Sequence, residues 1–401
     1  EHAAAPHPNP LPMPSAGAWG EGKNMTGKTI LIAAFSGRAL AESARRAGYV
    51  PLVADAFGDM DTRAAAHLYA GLPSAISHGF EAKPLFSALD GLVDCAPSPP
   101  VGIVLGSGFE DRPKLIASLD ARYGLIGSKA DLVRQLKDPS EFFSLLKQLS
   151  IPHPETTLTP PDQPQGWLAK RIGGTGGAHI RELQNLSKPP DKSYFQRRIE
   201  GTPMSVFAVS SKGGVALELS RQWTAPSPRK PFRYGGAVIT EYADTPAEQK
   251  MVSTAATLIE LLDPVGLVSF DFLIEGDTPY LLEVNPRPGA TLDIFDDIGG
   301  NLFRAHVEAS LGNELWQQRD LPTAQSRASA ILYADNGSLT AGEFDWPEWT
   351  ADRPHPGTLI PAGQPVATVF ADGASADEAE RLARTRLSTL ANLVYTASHK
   401  T

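Results

Sequence analysis

The sequence predicts an α/β and α+β architecture, with an open parallel sheet near the N-terminus and mixed strands and helices beyond it. Three observations carry this. Between residues 29 and 126, short apolar runs alternate with helical stretches: T-I-L-I-A-A-F, then A-L-A-E-S-A-R-R-A, then V-P-L-V-A-D. That order gives parallel strands joined by right-handed crossovers. From 193 to 285 strand-like runs dominate, with one helical stretch at 246–263. Residues 265–296 then read as a β-hairpin, with Glu275-Gly276-Asp277-Thr278-Pro279 as turn chemistry between two apolar runs.

The chain has 401 residues, 42% hydrophobic and 20% charged, enough for two or three soluble domains. A formal net charge of −9 argues against a general nucleic-acid or anionic-membrane binder. No apolar run reaches the ~18 residues of a membrane span. The one cysteine, Cys95, excludes an intrachain disulfide and a cysteine-based metal cluster, and fits a reducing, cytoplasmic compartment.

In order, residues 1–24 read as a disordered tail, with Met25 as a natural start. Residues 25–127 form a Rossmann-like domain. The turn after its first strand reads F-S-G-R-A-L-A and lacks the glycines of a dinucleotide fingerprint, so it is either a substrate-contacting loop through Ser36 and Arg38 or a plain connection. A helix, a break at Pro139 and a second helix follow. The strand Trp167-Leu168-Ala169-Lys170 leads into a loop with Gly173, Gly174, Gly176 and Gly177. Glycines let successive N–H groups turn toward one phosphate, and Lys170 adds a compact cation. Another strand, S-Y-F-Q-R-R-I, is broken by Glu200-Gly201-Thr202-Pro203. The loop from Thr224 to Thr240 is basic and glycine-rich. Arg221, Arg229, Lys230 and Arg233 are candidates to meet anions, and Tyr234-Gly235-Gly236 to line a pocket. A C-terminal lobe at 326–401 shows no separate chemistry, and its Trp346 and Trp349 read as core residues.

The hairpin carries the chemistry. Side chains alternate faces along a strand. A turn centred on Asp277 puts Phe270, Phe272, Ile274, Tyr280, Leu282 and Val284 on one face. It sets Asp271 opposite Glu283, with Asn285 on the same face. Opposed like charges destabilise a sheet. Either this is a solvated face that happens to carry acids, or a divalent cation sits there. The tail N-P-R-P-G places Arg287 beside the acids, to face an anionic substrate.

L-L-E-V-N-P-R-P-G, with an acid on the preceding strand, resembles the metal-binding hairpin of the ATP-grasp superfamily. The resemblance spans roughly residues 29–311. It implies an ATP-grasp domain at 128–325, hinged near 196–201. ATP and Mg²⁺ (Mn²⁺ as the alternative) are then expected, the metal held by Asp271, Glu283 and Asn285. The resemblance assigns Lys170 and the glycine loop to the phosphates. It assigns the backbone of Arg197, Arg198 and Ile199 to the adenine edge, Glu200 to the ribose, and Arg287 to the substrate carboxylate or acyl phosphate. Many relatives have a D-K pair whose lysine reaches the phosphates; here Asp138-Pro139 stands there, leaving Lys137 or Lys129 as substitutes. The implied activity is ligation of a small-molecule carboxylate to an amine through an acyl phosphate. The overall layout is similar to amino-acid and cofactor ligases such as the tyramine–glutamate and pterin glutamate ligases. An ATP-grasp kinase and a non-catalytic nucleotide binder are the alternatives.

Overall fold

The computed structural model describes residues 27–211, 214–296, 299–312 and 326–398. The expected tail and the start at Met25 lie outside them. The N-terminal sheet has five parallel strands, in the order Leu68–Gly71, Val50–Asp55, Thr29–Ala34, Ile103–Leu105 and Leu125–Ile126. Thr29–Ala34 is buried along its whole length, as a strand covered on both faces must be. Its alternate residues serve separate cores. Ile30, Ile32 and Ala34 pack with Leu40, Ala41 and Phe303, whereas Leu31 and Ala33 pack with Leu85 and Leu89. The turn that follows is closed, because the Gly37 N–H donates to Asp55 Oδ2 at 3.1 Å.

An eight-stranded sheet forms the second layer. Its order is Thr278–Asn285, Gly266–Glu275, Thr202–Ser211, Gly214–Thr224, Tyr234–Ile239, Ser326–Tyr333, Pro365–Gly373 and Thr350–Ala351. The sheet therefore continues across the expected boundary at 325/326, because Ser326–Tyr333 pairs with Tyr234–Ile239. Helices Pro139–Gln148 and Pro246–Leu262 cover one face at Val206, Phe270, Phe272 and Leu281. The second helix starts at a capping box, in which Thr245 and Glu248 satisfy each other's backbone N–H groups. Its last turn stops at Asp263 in the left-handed region, φ 46°. Helix Ala376–Ser398 covers the C-terminal strands, and Trp346 and Trp349 pack against that core. Pro203 does not break the chain as expected. It enters the strand Thr202–Ser211 near its start and pairs with Leu273.

A small antiparallel sheet stands apart: Thr156–Thr157, Ser193–Arg197, Trp167–Arg171 and Arg181–Glu182. The chain leaves it for the large sheet at residues 198–201, within the stretch 196–201 expected to hinge. The cleft between the two sheets holds a cavity of about 540 Å³.

The hairpin register corrects one expectation and keeps the other. Glu275 pairs with Thr278, so the turn is only Gly276-Asp277, with Gly276 at φ 57°. Near the turn this puts Leu281, not Leu282, opposite Phe272. Leu281 is fully buried in the core, and Leu282 lines the cleft instead. Tyr280 pairs with Leu273 and is likewise off the core face. A bulge between Asp271 and Phe272 then absorbs the extra residue and restores Asp271 opposite Glu283.

Candidate functional site

The acids converge. The Asn285 amide donates to Asp271 Oδ2 at 3.0 Å and to Glu283 Oε1 at 3.3 Å. Gln222 Nε2 donates to Asp271 Oδ1 at 3.2 Å. Lys137 Nζ donates to Asn285 Oδ1 at 2.6 Å and to Glu283 Oε2 at 3.3 Å. Burial and the facing Glu283 push the Asp271 carboxyl up to about 7. Burial also raises Glu283, but Lys137, Asn285, His179 and Lys170 outweigh it and hold that carboxyl below its ordinary range. The pair thus keeps one negative charge firmly and a second loosely. Glu283 keeps 38% side-chain exposure, and it opens onto the cleft.

The donor set tests whether a divalent cation fits. Among the described residues no three His, Cys, Asp or Glu side chains cluster as metal ligands. A cation on Asp271 and Glu283 would therefore need most of its oxygens from elsewhere. Mg²⁺ accepts that arrangement, taking one or two protein carboxylates and filling its shell with phosphate and water. Asn285 turns its amide nitrogen to the acids. Its oxygen reaches them only with the amide ends exchanged, an assignment made from hydrogen bonding. The two carboxylates fit as they stand; Asn285 fits with that exchange and with Lys137 moved.

Across the cleft, Lys170 lies next to the end of strand Trp167–Arg171 and is 7% exposed. Its Nζ donates to Gln196 Oε1 at 2.6 Å, and Gln196 in turn donates to Thr156. Burial lowers the ammonium to about 8, partly offset by Glu283. The glycine loop that follows is folded down. Gly176 O accepts the Tyr234 N–H at 2.9 Å. Gly177, at φ 68°, lies so close to the Phe232 carbonyl that a Cβ would stand 1.9 Å from its oxygen. Gly173, at φ 69°, meets Asp111 of the N-terminal domain in the same way, at 2.5 Å. Only glycine fits these two approaches. His179 closes the loop and lines the cleft, with its ring lowered by burial to about 4 and therefore neutral.

Where the chain passes from the small sheet to the large one, Arg197, Arg198 and Ile199 line the cleft. The N–H groups of Arg197 and Arg198 are already bonded, to Glu155 O at 2.8 Å and Gly166 O at 2.9 Å. Of the stretch expected to offer the adenine one donor and one acceptor, the N–H groups of Arg197 and Arg198 are thus used by the fold, and Ile199 lines the cleft beside them. The Arg197 guanidinium lies over Trp167, and Arg198 pairs with Glu182 and Glu200. Glu200 is 79% exposed at its side chain and is not among the cleft-lining residues.

Arg287 borders the cleft as expected. Its Nε donates to the buried Glu110 Oε1 at 2.6 Å. Burial raises Glu110, but Arg287, Lys137 and the Gly108 N–H lower it further, so it stays ionised. Glu110, Gln196, Gln222 and His179 escaped the sequence reading, since each acts through a residue distant in sequence. Of the two lysine substitutes, Lys137 enters the cleft, whereas Lys129 pairs with Asp120 at the surface.

The loop expected at 224–240 is shorter, because Tyr234–Ile239 is a strand and Arg221 lies in the strand Gly214–Thr224, and the basic residues of this stretch do not enter the cleft. Arg221 pairs with Asp377 and Glu380. Arg233 is buried on Asp335 and stacks on Tyr333, 3.6 Å from the ring centroid. Lys230 donates to Gly363 O. Arg221, Arg229, Lys230 and Arg233 are all absent from the cleft lining, which takes Thr224, Phe232 and Tyr234 from residues 224–240 instead. Gly235 and Gly236 give room to Trp223 and neighbouring backbone. Arg38 also differs from expectation. It is held by Asp293 at 2.5 and 2.7 Å, by Asp352 at 2.9 and 3.2 Å and by Glu42 at 3.3 Å. With its donors taken, it borders the cleft as a joint between three parts of the chain. Ser36 reaches the same Asp352 at 3.4 Å.

Residues 137–291 match the ATP-grasp domain family. Among solved structures the chain is similar to N5-carboxyaminoimidazole synthetase from Staphylococcus aureus complexed with ADP, at 14% identity and TM-score 0.64, over 90% of this chain and 97% of that one. It is similar to the biotin carboxylase–β,γ-ATP complex from Campylobacter jejuni, at 13% and 0.66, over 88% and 89%. It is also similar to L-amino acid ligase from Bacillus licheniformis, at 14% and 0.65, over 90% and 97%. The chain has the ATP-grasp fold, and the match to the ATP-grasp domain family lies at residues 137–291.

Proposed function

We propose that this protein is an ATP- and magnesium-dependent ligase that joins a carboxylate to an amine. The observation that carries the reading is the facing of Asp271 and Glu283 against Lys170 and a closed glycine loop across one cleft. Asp271, Glu283 and, with its amide exchanged, Asn285 would hold the cation, which supplies charge neutralisation at the phosphates. Lys170 holds the nucleotide's phosphate oxygens, and Gln196 fixes its ammonium. The glycine loop covers them and excludes water, pinned by Tyr234. Arg287, aligned by Glu110, orients the substrate carboxylate.

A carboxylate oxygen attacks the γ-phosphorus as the bond to the ADP oxygen breaks. The resulting acyl phosphate is attacked at carbon by the amine nitrogen. The carbon–oxygen bond breaks, phosphate departs, and the amine's proton goes to solvent. The chain contributes position and electrostatics to both steps. An amino acid, glutamate among them, is the amine we favour; support comes from the resemblance to amino-acid and cofactor ligases and from the similarity to an L-amino acid ligase.

The test is ADP release with ATP and Mg²⁺ across a matrix of carboxylates and amines. Ligation predicts ADP and phosphate only when both partners are present. ADP with a phosphorylated carboxylate or alcohol and no amine requirement would make it a kinase. Silence with every pair leaves a nucleotide-binding protein.

A further inference from the structure

Lys137 occupies a place that the cleft's chemistry does not require in the resting state. It ends helix Ala130–Lys137. The next residue, Asp138, caps helix Pro139–Gln148 by accepting from the Ser140 and Glu141 N–H groups, and Pro139 fills the first helical position. Proline suits that position because its missing N–H would have been unpaired there. The residue that a phosphate-binding lysine would take is thus committed to starting the helix. The lysine one place before the cap turns inward, 7% exposed at its side chain, with its ammonium on Asn285 and Glu283.

Two opposed carboxylates need a cation, and Lys137 is the one bonded to Glu283 and Asn285. Asp271 gets no direct bond from it, and its carboxyl rests on amides from Asn285 and Gln222. Arg287 is engaged with Glu110, and Lys170 with Gln196. An ammonium on a four-carbon stem is a mobile point charge, unlike a guanidinium held in a fixed fork.

We propose that Lys137 is a resident counter-ion for the metal-binding acids, which it leaves for the nucleotide's phosphates when cation and nucleotide enter together. It then does the work of the lysine displaced by Pro139. Lys137 therefore competes with a free divalent cation but cooperates with a nucleotide-bound one. The proposal rests on the reading of Asp271 and Glu283 as holders of a divalent cation.

Two titrations of the full chain test it, neither requiring turnover. Mn²⁺ alone, followed by the electron paramagnetic resonance of the free ion, should bind Lys137→Met about tenfold more tightly than the unaltered protein. ADP titrated in saturating Mn²⁺ should bind the same variant about tenfold more weakly. Lys137→Arg, which keeps the charge, should stay near the unaltered protein in the first titration. Should Lys137→Met fail to fold, Lys137→Gln is read by the same rule. Equal or weaker binding of Mn²⁺ alone by the neutral variant overturns the proposal. If both proteins bind Mn²⁺–ADP equally, Lys137 has no phosphate role and the ligase reading stands. If neither binds it, the cation site and the ligase reading fall together.

Discussion

Two buried cations, Arg38 and Lys137, show what separates a joint from a site. Their side chains are 4% and 7% exposed, so burial does not distinguish them. Their partners do. Arg38 meets three carboxylates, and Nε, Nη1 and Nη2 are all bonded. The acids come from the N-terminal domain, the segment after the hairpin and the C-terminal strands. Lys137 makes two bonds, one of them at 3.3 Å, and leaves a second carboxyl, Asp271, raised by burial and by the facing Glu283. A fully satisfied cluster is stiff and resists change. An under-neutralised one beside a cleft is poised for a ligand that brings charge.

The contrast can be broken at its stiff end. Arg38→Ala leaves the half-buried Asp293 and Asp352 without their cation and should cost about 3 kcal/mol of stability. Urea unfolding measures it; a loss under 1 kcal/mol would mean the joint is not the structural cluster described. At the poised end, Glu283→Gln should lower turnover by about 10²–10³ while the unfolding midpoint barely moves. A large stability loss there would erase the distinction. The smallest effect is a pH dependence. Lys170 is charged below about 8 and neutral above it, so ADP affinity should fall as pH rises through that value. The drop should be about fivefold from pH 8 to 9 and absent in Lys170→Met. Isothermal titration at the two pH values checks it, and a flat profile in the unaltered protein would show that Lys170 does not meet the phosphates.

Much of the fold was legible because its signals are local. The apolar runs at 29–34 and 50–55 became the buried centre of the parallel sheet, and the capping box at Thr245 opened a helix where the pattern placed one. The facing of Asp271 and Glu283 followed from strand parity. What was not legible depends on partners far apart in sequence. Arg38 reads as a loop cation until Asp352, 314 residues on, closes around it. The arginines at 221 and 233 read as anion binders until the C-terminal acids claim them. The stretch from Arg197 to Ile199 reads as the adenine edge's donor and acceptor until Glu155 O and Gly166 O take the N–H groups of Arg197 and Arg198. Composition says that charges exist, and topology decides which of them are spent on each other.

The irregularity at Leu281 and Leu282 has a consequence for how this cleft could be changed. One residue inserted in the outer strand sends Leu281 inward and Leu282 to the ligand side, and Glu283 still faces Asp271. The cleft floor gains an aliphatic surface beside its acid without either losing its place. Position 282 is thereby insulated from the hairpin's own packing. Exchanging it for another apolar or polar residue should retune which flat or charged ligand rests there while strand pairing, core and acids stay as they are.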